Sequence, residues 1–306
     1  MNPLNCHERF GITTRMKKEY ALGLLTVLFW ATSATAFKIA LRHLDVFQLL
    51  LLSVITSTLI LGGYLMVTGK IRLVFGLGMK VYGFYLFLGV LNPFIYYLMV
   101  LKAYDLLPAQ VAQPINYTWV ITLSLLSIPL LKQPFTRSQM AAALVCYTGV
   151  VALSWRNSDT AGQDISLLGL FLAVSCTIIW ALYWIYNVRS TQDPVVAIFL
   201  NFMFSIPFAL AACAGFSTLS IPDLRGLGAA VWIGCFEFGF AFIAWITALK
   251  TAENTNYVAN LIFITPFVSL IFISVVLQEK ILVQTYAGLV LIISGIVIQR
   301  YSEFKY

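Results

Sequence analysis

One carboxyl side chain lies deep inside an apolar run. Glu237 stands in Cys235-Phe236-Glu237-Phe238-Gly239-Phe240, near the middle of a predicted membrane span at 226–249. It is about eleven residues, or some 16 Å of helix, from either end of that span, which is too far for a Glu side chain to extend to the surface. A charged group at that depth is costly and is usually functional. We therefore expect Glu237 to face the protein interior, where it could take up a proton or pair with a cationic group of a bound solute.

Asn92 provides a second polar group at membrane depth, in the predicted third span. It falls at nearly the same depth as Glu237 in the eighth, so the two are expected to form the floor of one central cavity. Pro93 follows Asn92 directly, and Pro114 and Pro266 lie in the fourth and ninth spans. A proline inside a helix frees a backbone carbonyl one turn earlier, and such groups are tolerated where they line a cavity. We predict hinges at the three prolines, although simple kinks explain them equally well.

The fourth span contains the densest polar and aromatic stretch, Gln113-Pro114-Ile115-Asn116-Tyr117-Thr118-Trp119. Helical spacing places Gln113, Asn116 and Tyr117 on one face, whereas Trp119 is expected to point elsewhere. This face is a candidate wall for the cavity.

Spans one, six and nine add further candidates. Asn256 and Asn260 are four residues apart on one helical face of the ninth span. Trp30 in the first span, and Trp180 and Tyr183 in the sixth, lie nearer mid-span than the interfacial aromatic belts of membrane proteins. We predict that these five side chains also contact a substrate.

No pattern of an enzyme is present. The sequence lacks a Walker A loop, GxSxG, HExxH and paired carboxylates in the spans, so we expect no catalytic residues and no cofactor. His7 and His43 have no ligand partners at useful spacing, and the five cysteines form no CxxC pair, so no metal is expected. The net charge of +7 is spread over loops, which argues against a nucleic-acid partner.

The composition is that of a membrane protein. Hydrophobic residues make up 60% of the 306 residues and charged residues only 10%, and the mean hydropathy is +0.89. A bilayer span needs about 20 apolar residues. We predict an all-α integral membrane protein with ten transmembrane helices, at 20–40, 46–67, 80–101, 109–130, 136–155, 165–187, 193–215, 226–249, 254–277 and 282–301, after a tail at 1–19.

The ten predicted spans form two similar halves, 20–155 and 165–301. Phe29-Trp30-Ala31 matches Ile179-Trp180-Ala181, Leu101-Lys102-Ala103 matches Leu249-Lys250-Thr251, and Gly149-Val150-Val151 matches Gly295-Ile296-Val297. Five spans per half force the halves to cross the membrane in opposite directions. Inverted five-helix repeats are typical of secondary transporters that work by alternating access to a midplane site.

Basic residues indicate the orientation. With the N-terminus inside, thirteen Lys and Arg fall on cytoplasmic segments and six fall outside. The positive-inside rule then places both termini in the cytoplasm. We expect a multi-pass protein of the inner (cell) membrane, in contact with membrane lipid.

The ordered landmarks resemble the EamA repeat of the drug/metabolite transporter superfamily. In the second half these are Ala248-Leu249-Lys250, Pro266, Leu277-Gln278-Glu279-Lys280, Gly288 and Gly295, and the resemblance covers residues 20–301. Segments such as Asn116-Tyr117-Thr118-Trp119 are similar to the YddG-type aromatic amino acid exporters. Two departures are Val120, where that motif usually has Pro, and Gln133, where the repeat usually has Glu.

The resemblance implies a basket of ten helices whose cavity is drawn mainly from spans 1, 3, 4, 6, 8 and 9, with spans 5 and 10 aiding dimer contacts. It implies a secondary transporter of small metabolites, an exporter of amino acids or related amphipathic compounds, as a monomer or homodimer. Two alternatives stay open. One is a permease that takes up a vitamin, a sugar or a quaternary amine, and the other is a membrane assembly protein that transports nothing.

Overall fold

The computed structural model describes residues 18–132, 136–155, 165–187, 190–219, 223–252 and 255–303, and within these ranges its regular elements are helices. A short 3₁₀ helix, Lys70–Val74, precedes α3. The long helices are α1 (Lys18–Ala40), α2 (Val46–Val67), α3 (Met79–Leu106), α4 (Ala109–Leu131), α5 (Arg137–Ser154), α6 (Leu167–Asn187), α7 (Pro194–Phe216), α8 (Leu224–Thr251), α9 (Thr255–Val276) and α10 (Val283–Glu303).

Among the residues that the structure describes, eight helical stretches are long and apolar enough to cross a membrane, namely α1 to α4, α6 to α8 and the Val258–Val276 part of α9. Helices α5 and α10 coincide with the predicted fifth and tenth spans but do not reach the same length and apolarity. In α5 the first turn carries Arg137 and Gln139, and the apolar part of α10 is Val283–Gln299. An all-helical membrane protein is thus confirmed, whereas the number ten stays a prediction.

Short polar side chains set the starts of several helices. Asp45 accepts hydrogen bonds from the amides of Phe47 and Gln48 at the start of α2. Asp193 and Asp223 accept the amide hydrogens of Val195 and Gly226 in the same way. These caps satisfy amides that have no partner inside the helix.

Contacts between the connections define two faces of the bundle. The first, which we call the distal face, contains Asp223 and the segments 41–45, 107–108, 217–219 and 277–282. The Ser217 hydroxyl there donates to the Asp45 carboxylate, and Gln48 Nε2 donates to the Thr218 carbonyl over 2.9 Å. Lys38 Nζ donates to the carbonyl of Leu107 over 3.0 Å. These bonds connect the ends of α1, α2, α3 and α7.

The opposite surface, which we call the proximal face, contains Lys18 and the segments 68–78 and 190–193. Lys70 Nζ donates to Asp193 Oδ2 over 2.8 Å, and Tyr85 OH lies 2.7 Å from Ser190 Oγ. The start of α1 joins this face because Gly23 packs against Val258 and Leu261 in the first turns of α9.

The two longest helices are interrupted at equivalent points. Helix α3 widens into a π-helical segment at Val90–Ile95 and α8 does so at Ile233–Phe240. Asn92 and Glu237 lie in these segments, each thirteen residues beyond the first residue of a 28-residue helix. The backbone of Asn92 is extended, with φ −148° and ψ 120°. Wide turns of this kind often mark functional sites.

Helices α5 and α10 pack closely against each other through small residues. A Cβ atom on Gly149 would lie 2.6 Å from the Gly288 carbonyl oxygen, and one on Gly295 would lie 2.6 Å from the carbonyl oxygen of Ala142. Backbones approach this closely only where side chains are absent, as is common between membrane helices. The glycines that recur in the two halves therefore pair α5 with α10 within one chain.

Candidate functional site

A cavity of about 350 Å³ lies between the two halves of the bundle. Its size and its largely aromatic wall are those of a site for a small organic molecule. Helices α1, α3, α4, α6, α8, α9 and α10 contribute to it. The wall is formed by Trp30, Ser33, Phe37, Tyr96, Tyr97, Tyr104, Gln113, Asn116, Tyr117, Trp119, Val120, Leu123, Ser124, Ser127, Trp180, Trp184, Glu237, Phe242, Trp245, Ala259, Asn260, Ile262, Phe263, Ile296 and Gln299.

Glu237 is the one formally charged side chain in this wall as far as the structure describes it. The wide turn of α8 brings the carboxylate toward α1 and α3. Ser33 donates a hydrogen bond to Oε2, and Tyr97 OH donates to Oε1 over 3.3 Å. Trp30 Nε1 donates to the backbone carbonyl of Glu237 over 3.4 Å. Both carboxylate oxygens are thus held by hydroxyl donors, and the group keeps part of its surface open to the cavity.

Two amides of α4 are held by tyrosines of α3. Tyr96 OH and Asn116 exchange hydrogen bonds, 3.2 Å to Oδ1 and 3.0 Å from Nδ2. Tyr104 donates to Gln113 Oε1, which lies closer to the distal face. The predicted polar face of α4 therefore lines the cavity, and Tyr117 on the same helix completes it.

Indole and phenol rings form most of the wall around Trp180. The centre of this ring lies 4.5 Å from that of Tyr96 and 6.3 Å from that of Trp119. Trp30 packs against Trp245 on the other side, with ring centres 5.6 Å apart. Offset and tilted ring pairs at such distances hold one another in fixed orientations. The expectation that Trp119 points elsewhere is therefore wrong, because α4 is interrupted by a turn at Tyr117–Thr118.

The two asparagines predicted in α9 have different outcomes. Asn260 lines the cavity, and its buried Oδ1 accepts no hydrogen bond from the described residues. The side chain of Asn256 lies outside the described residues.

Asn92 and Tyr183 do not belong to the described wall of the cavity. Tyr183 lies behind Trp180, with ring centres 5.8 Å apart, and its hydroxyl accepts a hydrogen bond from Asn201 Nδ2 over 3.1 Å. The Asn92 side chain is close to this hydroxyl but forms no hydrogen bond of ordinary geometry. The structure thus places Glu237 at the cavity and its counterpart Asn92 in the packing behind it, instead of the shared floor that the sequence indicates.

Each predicted hinge proline lies at a helix irregularity. Pro93 is inside the π-helical segment of α3, and Pro114 precedes the turn at Tyr117–Thr118 in α4. Pro266 follows the 3₁₀ segment Leu261–Ile264 of α9. Whether the helices bend there during a functional cycle stays a prediction.

The sequence interpretation missed the tyrosines of α3. Tyr97 and Tyr104 are seven residues apart, so they share one helical face, and Tyr96 lies beside them. That spacing was visible, but an aromatic stripe in an apolar helix is more often packing than a site. Trp245 of α8 is missed for the same reason.

Comparison with known proteins gives the family. The sequence profile of the EamA-like transporter family matches residues 17–155 and again residues 167–300. An "Uncharacterized transporter" of Archaeoglobus fulgidus is 26% identical over 293 residues, covering 92% of this chain and 98% of the relative. The "Uncharacterized transporter YvbV" of Bacillus subtilis is 23% identical over 244 residues, 78% of each chain.

A solved crystal structure has the same fold. It superposes with a TM-score of 0.65 at 20% identity and covers 92% of this chain and 96% of the other. The expected resemblance is thus confirmed by sequence and by fold. Because one profile matches the chain twice over nearly its whole length, this protein belongs to the EamA-like transporter family of the drug/metabolite transporter superfamily.

Proposed function

We propose that this transporter moves amino acids or related small amphipathic compounds out of the cell by alternating access. The observation that carries the proposal is the cavity between the two repeats, which joins an aromatic wall to a mid-depth carboxylate, Glu237. An apolar body could lie against the rings while polar ends contact Glu237, Asn116 and Asn260. The cavity has the volume for one such molecule.

The arrangement of the repeats supports alternating access. The first repeat supplies Trp30, Tyr97 and Asn116, and the second supplies Trp180 and Glu237. A site shared by two inverted repeats can open to either side when one repeat tilts against the other. The wide turns in α3 and α8 lie at the same depth as the cavity, where such tilting needs helices that can deform.

The bonds at the distal face indicate a conformation closed on that side. Gln110 Oε1 accepts hydrogen bonds from the Leu282 amide and the Thr285 hydroxyl, and Gln110 Nε2 donates to the Lys280 carbonyl. These bonds join the start of α4 to the start of α10. Opening toward the distal face would require them to break.

We propose that the protein lies in the inner (cell) membrane and crosses it ten times, with both termini in the cytoplasm. The excess of basic residues on the proximal segments supports this orientation. Reporter fusions test it: a fusion at Ser190 should report the inside and one at Asp223 the outside. Opposite labelling at both sites would overturn the orientation.

Flux into sealed vesicles tests the transport proposal. Purified protein in liposomes loaded with unlabelled phenylalanine, or in parallel with a related amine, should accumulate the labelled form of the loaded compound, whereas protein-free vesicles should not. Glu237→Gln should lower this exchange, and it should remove any dependence on an imposed pH gradient if Glu237 couples transport to protons. No exchange of any amino acid or amine by correctly folded protein would contradict the proposal and favour an assembly role.

Efflux from cells tests the direction. Cells that produce the protein should release a preloaded substrate faster than cells without it. Faster accumulation from the medium instead would identify an uptake permease.

A further inference from the structure

We propose that the substrate is a monocation, an amine or quaternary ammonium compound with an apolar or aromatic body and no carboxylate. This inference rests on the proposed transport function, and within the proposed substrate class it selects the related amphipathic amines instead of the amino acids. It follows from the charges in the cavity wall and from the acceptors left open there.

The charge balance of the cavity is the first argument. In the part of the chain that the structure describes, Glu237 lines the cavity and no Lys, Arg or His does. Ser33 and Tyr97 donate hydrogen bonds to the carboxylate without neutralising it. A buried charge without a counterion is unfavourable. A bound monocation would supply that counterion, whereas a zwitterion would also bring a carboxylate with no cationic partner.

The second argument concerns the unpaired polar atoms. Asn260 Oδ1 is a buried acceptor that receives no hydrogen bond from the described residues. The N–H of a protonated amine could donate to it, whereas a quaternary ammonium group would meet it only through its weakly polar methyl groups. Trp184 Nε1, on another residue of the cavity wall, is a buried donor that also has no hydrogen-bond partner among the described residues. A neutral indole N–H can pair with a hydroxyl or carbonyl oxygen, but it cannot neutralise a carboxylate.

The rings provide the third argument. Trp30, Trp180 and Trp245 line one cavity of about 350 Å³. Cations, and quaternary ammonium groups in particular, are attracted to the faces of tryptophan and tyrosine. Glu237 together with these rings forms a cation site in which the charge meets the carboxylate and the body meets the indoles.

The test uses two ligands that differ only in a carboxylate. N,N,N-trimethylphenethylammonium is a permanent monocation, and N,N,N-trimethylphenylalanine is the same molecule with a carboxylate added. Neither can shed its charge and diffuse through lipid as a neutral amine. Their binding to purified protein is measured by titration calorimetry, and their exchange is measured in proteoliposomes.

We expect the monocation to bind at least about tenfold more tightly than the zwitterion, a difference of about 1.4 kcal/mol. Glu237→Gln should bind the monocation more weakly than wild type by at least that factor. Its affinity for a neutral isostere, which has carbon in place of nitrogen, should change little. Glu237→Asp keeps the charge and should retain part of the affinity, which separates loss of charge from loss of folding. Asp105→Asn removes a carboxylate at the exposed Lys102 pair, away from the cavity wall, and should change neither affinity.

Two results would overturn the inference. If the zwitterion or phenylalanine binds and exchanges as well as the monocation does, the substrate class is wrong while the transport function stands. If no ligand exchanges while the protein is folded, the transport proposal fails as well.

Discussion

The Glu279 carboxylate accepts the backbone amide hydrogen of Ala109 over 3.1 Å, so a residue of the second repeat caps the first turn of α4 in the first repeat. The amide of Gln110 donates to the other carboxylate oxygen over 3.3 Å. A carboxylate at a helix N-terminus satisfies free amides and interacts favourably with the helix dipole. Lys38 has the complementary role at a helix C-terminus: its ammonium group donates to the Tyr104 and Leu107 carbonyls at the end of α3.

Breaking this cap should open the distal face. We expect Glu279→Ala to destabilise the distal-closed conformation by about 1 kcal/mol, which would raise the distal-open population about fivefold. The measurement is labelling of a single cysteine at Asn116, in a background without the other cysteines, by a maleimide that cannot cross the membrane.

Asp105→Ala, which removes the carboxylate of the exposed ion pair with Lys102 near the end of α3, is the matched control for that experiment and should leave the labelling rate unchanged. Unchanged labelling in the Glu279→Ala variant would show that the cap does not limit opening.

Tyr97→Phe should weaken substrate binding more than turnover. The change removes one of the two hydroxyl donors to Glu237, so the carboxylate is less firmly positioned at the cavity. The lost hydrogen bond is worth about 1 kcal/mol, which predicts an increase of about fivefold in KM with kcat within about twofold, measured by concentration-dependent flux. Tyr286→Phe, on a side chain that is 55% exposed, should behave like wild type. A loss confined to kcat would instead mean that Tyr97 acts in the conformational change.

Much of the architecture could be predicted from the sequence because a bilayer imposes it. The long apolar runs fix the spans within a few residues, since each must cross the same thickness. The third span is the main exception. It was predicted at 80–101 but continues to Leu106, because the Lys102–Asp105 ion pair lets the helix extend beyond the apolar core.

The candidate site was predictable only where a polar residue had no other explanation. Glu237 and Asn116 lie at a depth where chemistry is expected, and both line the cavity. The orientation of Trp119 and the position of Asn92 depend on local interruptions of α4 and α3, which shift the helical face by a fraction of a turn. The Glu279 cap could not be predicted either, because its partners Ala109 and Gln110 are 170 and 169 residues away.

The stability of the proximal face should fall at acidic pH. Partial burial opposes ionisation of Asp193, but hydrogen bonds from Lys70 and the Val195 amide, together with the charge of Lys250, outweigh it and hold its pKa below the ordinary value. A lowered pKa means that the stabilisation is present above the unfolded-state pKa of about 3.9 and is lost as the pH falls through the folded-state pKa.

Asp193→Asn keeps the cap and removes the charge. We expect a loss of about 0.2–1 kcal/mol at pH 7, as for a partly exposed pair, and a melting temperature that approaches that of wild type near pH 3. The measurement is thermal unfolding in detergent at both pH values. Lys70→Gln should cost a similar amount at pH 7, and the double variant should cost less than the sum. If the melting temperatures of wild type and Asp193→Asn differ by the same amount at every pH, the ion pair is not the source of the difference.

Gly149→Ala should destabilise the protein through the contact between α5 and α10. The added Cβ would lie 2.6 Å from the Gly288 carbonyl oxygen and 2.9 Å from Ile292 Cγ1, so the two helices must separate. Overpacking of this kind costs about 1–3 kcal/mol, which should lower the melting temperature in detergent by several degrees. Gly63→Ala makes the same chemical change inside α2, where a Cβ meets nothing within 4 Å, and it should be neutral or slightly stabilising because alanine favours the helix. Equal melting temperatures for the two variants would mean that α5 and α10 do not pack through these glycines.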